Sequence, residues 1–297
     1  MTVRLSRFKR VTAMPLQLTD RDREIIREVY RHRFLRSSHI IALVDGSRQQ
    51  IVRRLQLLYH HGYLERPRAQ LRYYERGASR EIAYGLGNKG GELLRRECGF
   101  LIDSVSWTEK NHYIGRVYLD HALLVSDVMV AIELACRRHG IRLFHQDELG
   151  LRLKRGRFQW QVKLRNGPRL GVIPDRVFAL EYPVNRGQRI HYFLEADRGT
   201  MPVFRNNLLQ TSFQRKLLAY HATWKQNLHC TRLGIDRFRV LTVTTIPKRV
   251  QSLVSTASQL ESGHGLFLFA DRSILSGDIL TNLWQTGRLG ESAKLLE

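Results

Sequence analysis

Residues 169–200, RLGVIPDRVFALEYPVNRGQRIHYFLEADRGT, constrain this chain more than any other stretch. Two apolar, strand-like runs there carry Asp175, Glu195 and Asp197 and enclose a polar turn from Pro183 to Gly187. A hairpin centred on Asn185 makes Asp175 and Glu195 cross-strand partners, with Cβ atoms roughly 5 Å apart. Glu195 and Asp197 are two apart on one strand, so they share a face. Three acids on one patch repel each other unless a positive group sits among them. A divalent cation fits that need, because Mg²⁺ or Mn²⁺ takes hard oxygen ligands and keeps waters for chemistry.

The charge of the whole chain points the same way. Lys and Arg number 49 against 27 Asp and Glu, a net charge of +22. Arginine dominates, and its forked donors suit phosphate oxygens. A polyanionic partner follows, with double-stranded DNA first. An acidic membrane surface is the weaker candidate, since no lipidation signal and no bilayer-length apolar run appear. The opening MTVRLSRFKR is basic and lacks the apolar run of a secretory signal, and reads as a short phosphate-touching arm. Cys98, Cys136 and Cys230 are far apart and odd in number. That argues against a disulfide framework or zinc ribbon and for a reducing, cytoplasmic setting with three small core residues.

The first hundred residues read as three helices, a basic hairpin and a further helix. Thr19 and Asp22 form a capping pair ahead of a helix with Ile25, Ile26 and Val29 on one face. HIIALV makes a second helix, and Ser47 caps a third, RQQIVRRLQLLYHH, closed by Gly62. Ile51, Leu55 and Leu58 mark its buried face, while Gln49, Gln50, Arg53, Arg54 and Gln56 mark another. This is the plan of a winged helix-turn-helix. Its third helix would lie in a major groove, where Arg and Gln pair with guanine and adenine edges. The wing, with Arg66, Arg68, Arg72, Arg76 and Arg80, would follow phosphates. The alternative is an ordinary solvated face. Gly85 to Gly90 matches G-x-G-x-x-G, but the strand before it is an arm of the wing, so the glycines serve a turn into the helix Glu92–Cys98.

Residues 101–116 read as a linker between a domain at 1–100 and a second at 117–297. The second begins with a helix from Val117 to His139, then strands across Ile141–Lys163 and the acidic hairpin. A helix over Phe204–Gln226, a strand over Phe238–Thr244, a helix over Lys248–Leu260 and a strand over Leu266–Phe269 follow. A last helix is expected near Asp278–Gln285. The fold class is α/β (α+β), with a central mixed sheet flanked by helices.

That order is similar to the PD-(D/E)XK, or restriction-endonuclease-like, core. Pro174-Asp175 and Glu195-Ala196-Asp197 stand where that superfamily has Pro-Asp and Glu-x-Lys. More specifically, the chain resembles the plasmid replication-relaxation family, in which a winged helix precedes such a core. The resemblance is carried by LTDRDREII, YGLGNKGGELL, HALLVSDVMVAIELA, PDRVFAL, FLEADRGT and SFQRKLLAY. It implies a plasmid- or mobile-element-borne protein acting on DNA at an origin, with replication or transfer proteins as further partners. The lysine of Glu-x-Lys is replaced by Asp197, and Lys216 on the following helix is the residue to supply that cation, ahead of Arg198 or Arg215. Asp175 and Glu195 would hold Mg²⁺ or Mn²⁺, and Asp197 would bind a second metal or orient water.

Two readings from different classes follow. One is a metal-dependent DNA nickase or endonuclease using Asp175, Glu195, Asp197 and Lys216. The other is a non-catalytic initiator or regulator whose acids merely pair with arginine or lysine. An RNA-binding factor is a third, unsupported by any RNP-like or KH-type run. His121, in line with Val125, Val128 and Ile132, is a core histidine or an extra site group. Tyr113 and Tyr220 are the tyrosines to consider for a covalent step, against ordinary packing. No His-hydrophobe-His occurs, so a metal-tyrosine relaxase architecture is unsupported. No G-x-x-x-x-G-K-[ST] occurs either, which excludes a P-loop motor. A homodimer on a two-fold DNA site is the expected assembly for a helix-turn-helix protein.

Overall fold

The structure is a computed structural model that describes residues 8–11, 15–71, 81–98, 106–151, 158–165, 167–185 and 187–296. The chain divides into two compact units, Met1–Val130 and Ala131–Glu297.

In the first unit α1 (Asp20–His32), β1 (Phe34–Arg36), α2 (Ser37–Leu43), α3 (Arg48–His60), β2 (Leu64–Glu65) and β3 (Ala83–Leu86) follow in that order. The capping pair is reciprocal: Asp22 N–H donates to the Thr19 hydroxyl, and the Asp22 carboxylate accepts from Thr19 N–H at 2.7 Å. Ile25, Ile26 and Val29 are fully buried. The sheet order is β1-β3-β2, antiparallel throughout. The Gln70 side chain joins the arms around 72–80, pairing both ways with the Ala83 backbone at 2.8 and 2.9 Å. The tip of the expected wing hairpin, with Arg72, Arg76 and Arg80, lies outside the described residues.

α4 (Asn88–Cys98), α5 (Trp107–Tyr113) and the long α6 (Arg116–His139) come next. The stretch expected as a linker therefore contains a helix, capped by Ser106, whose hydroxyl accepts from Glu109 N–H. The break between units falls inside α6 rather than ahead of it. The reason is packing: Leu119, Ala122 and Leu123 bury against Phe34 and Ala83 of the first unit.

The second unit is α/β. Its seven-stranded mixed sheet has the order β12-β11-β10-β9-β8-β7-β4. β4 (Arg142–His145), β7 (Arg176–Glu181) and β8 (Arg189–Asp197) form an antiparallel meander, and β9 (Phe238–Thr244) lies parallel to β8. β10 (Phe267–Asp271) extends the parallel part, and β11 (Trp284–Thr286) and β12 (Ser292–Ala293) close the edge. A separate hairpin, β5 (Trp160–Lys163) with β6 (Arg169–Val172), is inserted between β4 and β7. α7 (Phe213–Lys225) and α9 (Pro247–Ala257), with the short α8 (Leu228–Thr231) between them, flank the sheet. Val177, Phe193, Val240, Phe267 and Phe269 from the sheet share one apolar core with α7, α9 and the inserted hairpin.

Two expected helices differ. The helix expected from Phe204 begins at Phe213, because the Ser212 hydroxyl caps it by accepting from Arg215 N–H. The helix expected at Asp278–Gln285 is a turn leading into β11. The Asp278 carboxylate accepts from Leu280 N–H at 2.9 Å, and Trp284 is fully buried in the sheet. Asp favours such local turns over helix interiors.

Candidate acidic site and candidate nucleic-acid interface

The hairpin register is the one the turn implied. Arg176 pairs with Leu194 and Glu181 with Arg189 across Asn185, and Asp175 N–H donates to Leu194 C=O at 3.1 Å. Asp175 thus enters at the foot of β7, its carboxylate accepting from Ala196 N–H at 2.8 Å. On β8 the period of two puts Phe193, Glu195 and Asp197 on the face that α7 and α9 cover.

Glu195 is 2% exposed. Its Oε2 accepts from Lys216 Nζ at 2.5 Å and its Oε1 from the Tyr220 hydroxyl at 2.6 Å. Lys216 and Tyr220 are four apart on α7, so one helix face delivers both. Burial pushes the Glu195 carboxyl up to about 7, with the Asp175 charge adding and Lys216 and Tyr220 opposing. Burial works to lower the Lys216 ammonium, but Glu195 and Asp175 outweigh it and hold its pKa above the ordinary lysine value. The causes differ: burial dominates at Glu195, whereas the neighbouring carboxylates overcome burial at Lys216. Burial also holds the Tyr220 phenol well above its usual value.

Asp197 has a different partner. Arg249, in the first turn of α9, donates to it through Nε at 2.6 Å and Nη2 at 3.3 Å, and through Nη2 to Met201 C=O at 2.5 Å. Thr244 and Gly199 N–H donate to the same carboxylate. Sequence reading missed Arg249. The available signal was a basic side chain in a first helical turn, against the helix dipole, which needs an acid nearby to be favourable. Thr242 and Thr244 pair in register with Glu195 and Asp197 on β9. The buried Thr242 hydroxyl has no hydrogen-bond partner among the described residues.

Asp175 and Glu195 bring two carboxylates together beside the orphaned Thr242 hydroxyl, hard oxygens of the type a divalent cation takes. Lys216 and Tyr220 donate to Glu195, as Arg249 does to Asp197.

The remaining expected residues lie in the first unit. Gln49, Gln50, Arg53 and Gln56 are exposed along α3. Arg54 is not available in the same way: it chelates the buried Asp22 through Nε at 2.8 Å and through Nη2, and holds Gln17 C=O at 2.9 Å. Arg66 is 7% exposed, stacked 4.1 Å from the Tyr59 ring centroid, with Nη2 donating to the Tyr84 hydroxyl at 3.3 Å. Arg68 is exposed on a short 3₁₀ turn. Arg72, Arg76 and Arg80 lie outside the described residues. Arg10 of the basic arm anchors on Tyr59 C=O, Leu64 C=O and Glu65. His121 sits half-buried on the first-unit part of α6, and Tyr113 is 78% exposed at the end of α5. Among the described residues, no helix is long and apolar enough to cross a membrane.

The sequence model of the family described as Replication-relaxation matches residues 26–237. That span includes α3, Arg66 and Arg68, the acidic hairpin and Lys216. No curated protein and no solved structure gives a match.

Proposed function

The chain belongs to the replication-relaxation family, and on that premise we propose that it acts on plasmid or mobile-element DNA at an origin, as a metal-dependent nickase. Three helices ahead of β3 and the β1-β3-β2 sheet support reading the first unit as a winged helix, with Gln49, Gln50, Arg53 and Gln56 on α3 as its proposed base-reading residues and Arg68, Arg72, Arg76 and Arg80 as its proposed phosphate contacts. The antiparallel run β4-β7-β8, followed by α7 and the parallel β9, supports reading the second unit as a PD-(D/E)XK-like core.

One observation carries the enzymatic reading: Lys216 reaches Glu195 from α7, filling the role that Asp197 vacates in Glu-x-Lys. Asp175 and Glu195 are the residues that would hold Mg²⁺ or Mn²⁺. Bound there, the ion would acidify a water and offset charge on the reacting phosphate. Lys216, an ammonium at neutral pH, would stabilise negative charge as it grows on the phosphoryl oxygens. Tyr220 donates to Glu195 and fixes its carboxylate plane. Its buried, strongly protonated phenol is unsuited to a nucleophile's role, so the reading needs no covalent tyrosine. Asp197 with Arg249 positions the end of β8.

The second reading, a non-catalytic DNA-binding initiator or regulator, is favoured by one feature. Both Glu195 oxygens and both Asp197 oxygens already have protein donors, as a retired site would. Calorimetric titration with Mn²⁺ separates the two: the nickase binds the ion and loses it in Asp175→Asn and Glu195→Gln, whereas a scaffold shows no heat attributable to either carboxylate.

A further inference from the structure

We propose that the loop joining β8 to α7, residues 198–212, is a wedge that unstacks DNA bases beside the acidic cluster, with Phe204 and Leu209 as the inserting side chains. The inference rests on the DNA-acting reading above and deepens it, naming the form of substrate the second unit works on: duplex opened at the site.

Both ends of this loop are tied to the acids. At its start Arg249 bridges the Asp197 carboxylate and the Met201 carbonyl. At its end Phe213 N–H donates to Pro202 C=O at 2.9 Å and Gln214 N–H to Val203 C=O at 2.8 Å. Two residues beyond Gln214, Lys216 holds Glu195. The loop is therefore anchored at the site while its tip projects. Asn207 shapes the tip, its side chain accepting from Leu209 N–H at 2.9 Å and its carbonyl from Gln210 N–H at 3.1 Å. Arg205 and Gln210 clasp across it at 2.8 Å.

On that braced tip two large apolar side chains face solvent: Phe204 is 58% exposed and Leu209 74%. A connection with no partner has no use for both. Charge selects the partner. From Arg198 to Ile235 the chain contains no Asp or Glu, while Arg198, Arg205, Arg215 and Lys216 all fall in or next to the loop. An apolar tip on a segment whose own charges are all basic fits nucleic acid, whose bases accept apolar wedges between steps while its phosphates meet the cations. Phe and Leu are side chains that such wedges use.

The test is permanganate probing of a linear duplex carrying the origin, bound by the full chain in EDTA so that no strand is cut. Permanganate attacks thymines that have lost their stacking. The wild-type chain is expected to create reactive thymines within its footprint. Phe204→Ala with Leu209→Ala is expected to reduce that reactivity about fivefold or more with little change in affinity, and Phe204→Trp to retain it. A bound duplex with no reactive thymines, or a double variant as reactive as wild type, overturns the wedge; the second outcome would leave Phe204 and Leu209 to a protein partner. Because the readout needs no cleavage, reactive thymines without nicking in Mg²⁺ would sink the nickase and spare the wedge. Nicking without reactive thymines would do the reverse.

Discussion

Lys216 Nζ lies 2.5 Å from Glu195 Oε2 although 21 residues separate them, joining a half-buried ammonium to a carboxylate that is 2% exposed. A helix and a strand meet here to pair an ammonium with a carboxylate. The contact explains why Asp197 can be given over to Arg249.

Lys216→Ala is expected to lower nicking by about 10²–10³-fold, the usual scale for losing one transition-state donor, while Mn²⁺ binding persists or strengthens. Lys216→Arg should recover only part of the rate, since a fork does not fit where a point charge sat. Single-turnover nicking beside Mn²⁺ titration checks both. Equal rates for wild type and Lys216→Ala would remove the lysine from the chemistry.

The raised Glu195 carboxyl gives two pH slopes of opposite sign. Its folded value is pushed up to about 7 from an ordinary 4.5. Between those values the folded chain holds a proton that the unfolded chain has lost, so metal-free stability falls as pH rises through that window. A cation must displace the same proton, so Mn²⁺ affinity rises with pH up to about 7 and then levels. Calorimetry and thermal melts from pH 5 to pH 8.5 read both. Affinity independent of pH would place the ion elsewhere.

Arg53 and Arg54 are neighbours in sequence with separate fates. Arg53→Ala should leave stability within about 0.5 kcal/mol and weaken binding to the cognate site by about 1–3 kcal/mol more than to random duplex. Arg54→Ala should lower stability by about 1–3 kcal/mol, because Asp22 is fully buried and loses its cation. Denaturant melts with binding isotherms distinguish them, and a stability loss in Arg53→Ala would contradict the assignment.

Arg249→Ala leaves Asp197 buried without its cation and should cost about 3–5 kcal/mol. Asp197→Asn keeps hydrogen-bonding capacity towards Arg249 and should cost less. Urea unfolding of the two variants orders them; a larger loss for Asp197→Asn would reverse the argument.

The hairpin was legible because a turn centre and a period of two suffice to fix register, and Asp175, Glu195 and Asp197 needed nothing more. The Lys216–Tyr220 face was half legible: i, i+4 spacing places both on one side of α7, but not which side meets β8. Arg249 was hidden by distance, 52 residues from Asp197 and brought there by the parallel pairing of β8 with β9. On charge and spacing Arg54 looked like a groove residue and Arg66 like a phosphate contact of the wing. Their true partners, Asp22 and the Tyr59 and Tyr84 rings, are tertiary neighbours that no helical period reveals. The tail misled because Asp278 to Gln285 has apolar spacing compatible with a helix, while Asp278 and the buried Trp284 commit it to a turn and the strand β11.

Relaxation of a supercoiled plasmid carrying the parent element's origin tests the central claim most directly. With Mg²⁺ or Mn²⁺ the chain should convert it to open circles, and Asp175→Asn, Glu195→Gln and Lys216→Ala should each leave it supercoiled while still binding. Plasmid that stays supercoiled under every metal though fully bound, or open circles that survive Asp175→Asn and Glu195→Gln, would contradict the account.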